Sequence, residues 1–153
     1  MRLAARTEVL AGIDEQAFID IDSLLRPVYG HAKQGASYGH TKIAGKQVLG
    51  KGLSPLATTI STERCAPVIA GMRLRAGKTG SGKGAGRMVA QAIVTARAAG
   101  ATGKILVRGD SAYGNRAVVR AASATRCLRS TADNWRVWPW VNSRRKIPSV
   151  AAA

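Results

Sequence analysis

The stretch Phe18-Ile-Asp-Ile-Asp-Ser-Leu-Leu-Arg-Pro-Val28 decides how this chain is interpreted. Apolar and acidic residues alternate at its start, and a period of two is typical of a β-strand. Alternate residues of a strand point to the same face of a sheet, so Asp20 and Asp22 are predicted to share one face. A carboxylate at the end of an apolar strand is costly to desolvate unless a cation or a hydrogen bond meets it. The stretch therefore predicts a sheet with an acidic site at the end of one strand.

Residues 29–52 follow this strand and are rich in glycine, lysine, tyrosine and histidine. Two similar pieces, Tyr29-Gly-His-Ala-Lys33 and Tyr38-Gly-His-Thr-Lys42, begin nine residues apart. We interpret them as the arms of an irregular hairpin or as a loop, because glycine at this density interrupts regular structure. Two histidines, His31 and His40, form an incomplete set of metal ligands, so a surface or DNA-contacting role is favoured for them.

The rest of the chain alternates between strand-like and helix-like segments. Short apolar runs indicate strands, and apolar residues that recur every three or four positions indicate helices. In chain order these are strands at 53–61 and 67–74, a helix that ends before Gly100, a strand at 105–107 that leads into Asp110, and a helix at 114–122. Three sequential strands followed by a strand that is reached through a helix predict a mixed sheet and an α/β fold.

The composition divides the chain into three parts. Residues 1–16 are a short lead segment, residues 17–122 carry the predicted sheet and helices, and residues 123–153 have no clean periodicity. All three tryptophans fall in the last part. We interpret it as an irregular tail that is foreign to the domain before it, and a shifted reading frame would produce such a composition.

Positive charge dominates the composition. Lys and Arg total 24 against 8 Asp and Glu, which gives a formal net charge of +16. Such an excess favours a polyanionic partner, and the phosphate backbone of DNA is the usual one. The basic residues are spread along the chain, so we expect a broad basic face on a folded domain. A ribosomal or otherwise merely basic protein is the alternative.

Several classes of protein are disfavoured by what the chain contains. No apolar run is long enough to cross a membrane and no apolar signal core is present, so a cytoplasmic location without a membrane partner is predicted. Cys65 and Cys127 are too few for a disulfide framework or a zinc site, and we expect free thiols. We expect no small-molecule substrate, and the sequence sets no oligomeric state.

Three of the eight acidic residues, Asp20, Asp22 and Asp110, lie at the ends of apolar strands. In so basic a chain, clustered carboxylates form a candidate Mg²⁺ site, because hard cations take oxygen ligands. Two such ions about 4 Å apart can activate a water molecule and stabilise a leaving oxygen in phosphodiester cleavage. The alternative is that these acids pair with arginines and serve stability alone.

The segment from Gly77 to Gly84 matches the pattern G-x-x-x-x-G-K and lies between a predicted strand and a predicted helix. Gly84 stands where a nucleotide-binding loop needs Ser or Thr to hold Mg²⁺, so a basic loop that touches DNA phosphates fits as well. Tyr29, Tyr38 and Tyr113 could stack on bases, although packing is the ordinary role of an aromatic side chain. The candidate DNA-contacting residues are Lys33, Lys42, Lys46, Arg73, Arg75, Lys78, Lys83 and Arg108.

Four segments, taken together, resemble the DDE transposases of bacterial insertion sequences. They are Phe18–Ser23, Tyr29–His40, Ala66–Arg75 and Leu106–Tyr113, and the likeness runs from about residue 7 to residue 122. The resemblance implies an RNase H-like fold, here incomplete, whose first catalytic acid is on strand one and whose second follows strand four. It also implies that the acids bind Mg²⁺, which activates water and then a 3′ hydroxyl for strand cleavage and transfer.

The resemblance assigns roles to particular acids of this chain. Asp22 takes the first catalytic and metal-binding role because Ser23 follows it, as in the D-[ST] pattern of the family, and Asp20 is the fallback. Asp110, within Arg-Gly-Asp-Ser, takes the second role. Residues 17–122 would then be part of a transposase catalytic domain.

One acid that the family pattern includes has no counterpart in this chain. The family has a Glu well downstream of the second Asp, whereas the glutamates here are Glu8, Glu15 and Glu63. A DNA-end-binding region before the domain and most of a C-terminal half are also missing from the likeness. We therefore predict a truncated transposase that is inactive by itself but retains a DNA-binding basic surface. A non-enzymatic basic nucleic-acid-binding protein is the alternative, and a nucleotide-binding fold that uses residues 77–84 is a third reading.

Overall fold

The computed structural model of the protein describes residues 9–124, without the side chains of residues 41–43 and 124. Most of the predicted tail at 123–153, with Cys127 and the tryptophans, lies outside the described residues, as does the lead segment up to residue 8. The described part contains strands β1 (Gln16–Ser23), β2 (Arg26–Pro27), β3 (Ser37–Ile43), β4 (Lys46–Leu53), β5 (Leu56–Ser61), β6 (Val68–Arg73) and β7 (Lys104–Gly109), helices α1 (Ala85–Ala98) and α2 (Arg116–Ala124), and a 3-10 turn (Ser111–Tyr113).

A four-stranded sheet in the order β6-β5-β1-β7 forms the centre of the molecule. Strand β1 is antiparallel to β5, and β5 is antiparallel to β6. Strand β7 is parallel to β1 and is reached through α1, because a parallel neighbour requires a crossover connection. The predicted mixed sheet and α/β fold are confirmed.

One face of this sheet packs against α1, which in turn packs against α2. The core alternates along β1, where Ala17, Ile19 and Ile21 are buried and the residues between them are not. Val89 and Ile93 of α1 are buried against this face, at the helical spacing that the sequence shows. The opposite face of the sheet has no helix over it within residues 9–124. By strand register, that face carries Phe18, Ile69, Met72 and Leu106.

A second, three-stranded sheet in the order β2-β4-β3 is inserted between β1 and β5. Strands β3 and β4 form a regular hairpin whose two-residue turn is Ala44-Gly45, and both residues have positive φ. Such turns match the twist of the flanking strands. The two similar pieces are therefore not the two arms of one hairpin, because the piece at 38–42 pairs with β4. The loop alternative describes the piece at 29–33.

Neither of the helices in the described residues is long and apolar enough to cross a membrane.

Candidate metal centre and nucleic-acid interface

The two predicted catalytic aspartates lie beside each other at one edge of the four-stranded sheet. The register between β1 and β7 pairs Asp20 with Arg108 and Ile21 with Gly109. Asp22 follows Ile21 and Asp110 follows Gly109, so the two acids are the next residues along two neighbouring parallel strands. The backbones of such neighbours are about 4.8 Å apart. The structure therefore brings together two acids that are far apart in the sequence.

Each of these aspartates has one carboxylate oxygen held by the backbone. The N–H of Ser23 donates to Oδ1 of Asp22 at 2.7 Å, and the N–H of Ala112 donates to Oδ1 of Asp110 at 2.9 Å. Both side chains are exposed, and Oδ2 of each has no hydrogen-bond partner among residues 9–124. Two oriented carboxylates with one available oxygen each fit a hard cation such as Mg²⁺.

Tyr113 ties together the two segments that carry these acids. Its phenol O–H donates to Oγ of Ser23 at 2.7 Å, and the side chain is 3% exposed. Burial raises the pKa of the Tyr113 phenol, the hydrogen bond to Ser23 opposes this rise, and the negative charges of Asp22 and Asp110 add to it. Both carboxylates are thus close enough to influence one phenol. Because Tyr113 is buried, packing, the ordinary role of an aromatic side chain, describes this residue and base stacking does not.

Gly109 allows the Tyr113 ring to come this close to β1. A Cβ at this position would lie 3.0 Å from Cγ2 of Ile21 and 3.3 Å from Cβ of Tyr113. A larger residue before Asp110 would therefore crowd Ile21 and Tyr113, which would have to shift by a few tenths of an ångström.

Asp20, the fallback ligand, is engaged in an ion pair. Arg108 donates from Nε to Oδ1 of Asp20 at 2.7 Å and from Nη2 to Oδ2 at 2.8 Å. The guanidinium carbon of Arg108 also lies 4.4 Å from the centre of the Phe18 ring. Hydrogen bonding to Asp20 raises the pKa of Arg108, and partial burial opposes this rise. The alternative that these acids pair with arginines thus describes Asp20, whose two carboxylate oxygens both accept from Arg108.

A third acidic ligand is not present at this edge in the described residues, where no group of three potential ligands is found. Glu15 and Glu63 lie at the other end of the sheet, beside the first residue of β1 and beyond the last residue of β5. Glu15 forms an exposed ion pair with Arg64 at 2.5 Å. Glu8 lies outside the described residues. Mg²⁺ often binds through one or two carboxylates together with water and substrate phosphates, so a pair of acids fits it as a partial site.

The glycine-rich loop after β6 is built around Arg75. This side chain is 8% exposed, and its guanidinium donates to the carbonyl oxygens of Gly80, Ser81 and Lys83 and to both oxygens of Ser54. Burial is the main cause that lowers the pKa of Arg75. A guanidinium that is enclosed by loop carbonyls cannot reach a phosphate, so the prediction that Arg75 contacts DNA is wrong.

The resemblance of this loop to a nucleotide-binding loop has a packing explanation. A Cβ at Gly77 would collide with the carbonyl oxygens of Ser37 and Gly52, so glycine is needed where the loop meets the hairpin. Two amides of this segment are already engaged, since Lys78 N–H donates to Ser37 Oγ at 2.8 Å and Lys83 N–H donates to Gly80 O at 3.1 Å. A phosphate cradle needs free amides, so neither of these two is available to a phosphate.

The glycine-rich loop also contacts the residues that follow Asp110, so it links the hairpin to the edge of the sheet that carries Asp22 and Asp110. Gly77 lies against the hairpin, whereas a Cβ at Gly82 would lie 2.7 Å from Nδ2 of Asn115 and 3.6 Å from the carbonyl oxygen of Ala112. Ala112 is the residue whose N–H binds Asp110. Hairpin, loop and acidic pair therefore lie at one edge of the molecule.

Most of the predicted DNA-contacting cations are exposed, whereas the side chain of Lys42 is not described. Arg73, Lys78 and Lys83 are exposed at the end of β6 and in the loop, and Lys33 and Lys46 are exposed before β3 and beside the hairpin turn. Arg108 is also exposed, and it is paired with Asp20. Sequence reasoning missed the exposed Lys51 of β4 and the bond between Tyr113 and Ser23. The spacing of Ser23 directly after Asp22 and of Tyr113 three residues after Asp110 was the only signal for that bond.

The described residues thus form an α/β domain in which Asp22 and Asp110 lie at the ends of two neighbouring parallel strands, with lysine and arginine exposed nearby. Comparison with known families identifies the family. A family described as transposase DDE domain, group 1, matches residues 7–131, and the chain belongs to this family. No curated protein and no solved structure matches the chain.

Proposed function

We propose that the chain is a truncated DDE transposase of a bacterial insertion sequence, which binds DNA and holds Mg²⁺ between Asp22 and Asp110. The observation that carries this proposal is the placement of Asp22 at the end of β1 and of Asp110 directly after the neighbouring parallel strand β7, with one available oxygen each. Membership of the DDE transposase family supports divalent-metal chemistry on DNA. A cytoplasmic location remains a prediction.

The sheet topology supports an RNase H-like fold for this domain. Apart from the inserted hairpin, the order is three antiparallel strands, helix α1 and a fourth strand parallel to the first. Asp22 is on the first of these strands, and Asp110 follows the fourth. These are the positions that the family resemblance implies for the first two catalytic acids.

The residues of this chain would bind and orient the reacting groups. The chemistry that Mg²⁺ supplies in such a site is activation of a water or a 3′ hydroxyl and neutralisation of charge on the phosphoryl group. The Asp22 and Asp110 carboxylates hold the cation, and the N–H groups of Ser23 and Ala112 fix their orientation. Exposed lysines at the same edge attract the DNA backbone.

We propose further that the chain does not cleave DNA by itself. A two-metal site needs enough carboxylates to hold both ions, and Glu15 and Glu63 lie at the other end of the sheet. One acid follows Asp110 in the sequence, Asp133, and it lies outside the described residues. Loss of one ligand should reduce the rate by several orders of magnitude, because charge neutralisation provides most of the catalysis.

Metal binding by the full chain tests the site without requiring turnover. Mn²⁺ titration followed by electron paramagnetic resonance should show one weakly bound ion that Asp22→Ala and Asp110→Ala both abolish. Asp14→Ala removes an exposed carboxylate at the other end of the sheet and is the matched control, with unchanged binding expected. Asp20→Asn should also retain binding, because Asp20 is paired with Arg108. Equal loss in all four variants would refute the site.

A nicking assay on supercoiled DNA tests the claim of inactivity. With Mg²⁺ or Mn²⁺ and the wild-type chain, we expect no nicking above a protein-free control. Metal-dependent nicking that Asp22→Ala abolishes would overturn the claim of inactivity while supporting the assigned site.

The second candidate function is a basic nucleic-acid-binding protein without catalysis. The net charge of +16 favours it. Salt-dependent DNA binding together with no Mn²⁺ binding would select this alternative.

A further inference from the structure

The three-stranded sheet has two unlike faces. One face carries Gly39 and Gly52, which are buried, and a Cβ at Gly39 would collide with the carbonyl of Gly77 in the loop. The other face, which we call the outer hairpin face, consists of Tyr38, His40, Leu49 and Lys51. The register places Tyr38 directly opposite Lys51 and His40 directly opposite Leu49. All four side chains are exposed, and that of Tyr38 is 66% exposed.

This face is held on a fixed support. The N–H of Ser54 donates to the carbonyl of Arg75 at 2.8 Å, and the N–H of Lys78 donates to Oγ of Ser37. Leu53 and Ala76 form a further bridge between hairpin and loop. Because the buried Arg75 organises that loop, a ligand on the outer hairpin face meets a surface that is already ordered.

The charge within the segment that carries the hairpin is of one sign. Between Asp22 and Glu63 the chain contains no acidic residue, whereas it contains five basic residues: Arg26, Lys33, Lys42, Lys46 and Lys51. No carboxylate of this segment can therefore neutralise the exposed lysines. A polyanion is the complementary partner.

The exposed ring of Tyr38 favours single-stranded over double-stranded nucleic acid as that polyanion. The Cβ atoms of directly opposite residues are about 5 Å apart, so the ring of Tyr38 and the side chain of Lys51, which ends in an ammonium group, are neighbours. An exposed ring beside a cation binds unpaired nucleotides by stacking on a base while the cation meets a phosphate. In a duplex the base faces are already stacked on one another, so they are not available to the ring of Tyr38.

We propose that the outer hairpin face binds an unpaired DNA strand, with Tyr38 stacked on a base and Lys51 in contact with a phosphate. This proposal rests on the proposed function, because it takes DNA as the partner. The loop that supports the hairpin also touches the turn behind Asp110, so a strand bound here lies at the same edge as the acidic pair. The hairpin would hold one strand for the metal centre.

Fluorescence anisotropy with the full chain tests the proposal on a labelled single-stranded oligonucleotide and on its duplex. Tyr38→Ala should weaken single-strand binding about tenfold, the expected effect of losing one stacked base. Tyr38→Phe keeps the ring and should bind within about twofold of the wild type. Duplex binding should change by less than about twofold in both variants.

A second pair of variants tests the phosphate contact. Lys51→Ala should reduce the slope of log K against log salt for the single strand by about 0.7. Lys104→Ala is the matched control, because Lys104 is exposed at the opposite end of the sheet, where it pairs in register with Gln16. The slope of log K against log salt for Lys104→Ala should equal that of the wild type.

The outcomes separate the two proposals. If DNA binding is salt-dependent but neither Tyr38→Ala nor Lys51→Ala changes its affinity or salt dependence, the role of the hairpin is refuted and DNA remains a partner. Equal weakening of single-strand and duplex binding would refute the preference for unpaired DNA. If neither form of DNA binds, both proposals fail. Circular dichroism should show wild-type folding for every variant, since each substituted side chain is exposed.

Discussion

Tyr113 shows how one side chain can position two others at the candidate metal centre. Its phenol reaches Ser23, the residue after Asp22, and it closes the turn whose first residue is Asp110. The bond joins residues 90 positions apart in the sequence. Tyr113 touches no ligand oxygen, so we regard it as a positioning residue.

Tyr113→Phe tests this positioning role. The substitution keeps the ring in place and removes one buried hydrogen bond, so the free energy of unfolding should fall by about 1 kcal/mol. Mn²⁺ affinity should fall several-fold, because the segments that carry Asp22 and Asp110 lose their link. The measurements are urea denaturation and Mn²⁺ titration.

Tyr29→Phe is the control for this prediction, since Tyr29 is exposed and its hydroxyl has no hydrogen-bond partner within residues 9–124. It should change neither quantity. Lower stability of Tyr113→Phe with unchanged Mn²⁺ affinity would mean that Tyr113 serves the fold alone.

At this scale, sequence reasoning found the two aspartates but not their surroundings. Asp22 and Asp110 could be predicted because each follows an apolar strand, a local pattern. The ion pair between Asp20 and Arg108 and the bond from Tyr113 depend on which strands become neighbours. That arrangement is set by packing across some 90 residues, as the separations of 88 and 90 positions show.

Among the elements, the loop after β6 determines how the edge of the sheet is assembled. Its pattern of glycines and lysines was open to a phosphate-binding interpretation, whereas the structure shows a loop wrapped around Arg75. Strand alternation in β1 and the helical spacing in α1 were sufficient to predict those elements. The close approach of Gly77 to the hairpin is a tertiary contact, which periodicity cannot reveal.

Arg75→Met should destabilise the protein more than any exposed substitution at this edge. The loop carbonyls and Ser54 would lose their donor in a buried setting, so a loss of about 3 kcal/mol in the free energy of unfolding is expected. Arg73→Met is the matched control, because Arg73 is exposed at the end of β6, and its effect should stay within about 0.5 kcal/mol. Urea denaturation measures both. Similar losses in the two variants would show that the buried contacts of Arg75 are not what stabilises the loop.

For the whole molecule, the distribution of acids is as informative as the net charge. From residue 23 to residue 109 the chain contains a single acid, Glu63, and it lies at the end of the sheet away from the metal centre. The edge that carries Asp22 and Asp110 is therefore a small negative site within a positive surface. Under the proposed function, this arrangement would attract DNA broadly and leave a local place for a cation.

The charge also predicts how the protein responds to salt. A net charge of +16 destabilises the compact state through self-repulsion, and added ions screen it. We expect the melting temperature to rise by a few degrees between low and moderate salt, as measured by differential scanning fluorimetry. Sodium chloride and choline chloride should act alike at equal ionic strength. A falling melting temperature would mean that attractive ion pairs outweigh the repulsion.

The sheet face without a helix over it predicts a second effect of salt, on the association of molecules with one another. Ile69 and Met72 of β6 are each 60% exposed there, and the half-buried Phe18 and Leu106 lie on the same face beyond β5. Apolar areas of this kind attract one another between molecules, and the shared positive charge keeps the molecules apart. Salt that strengthens each folded molecule therefore also removes the barrier to precipitation. The protein should have a limited range of ionic strength in which it is both folded and colloidally stable.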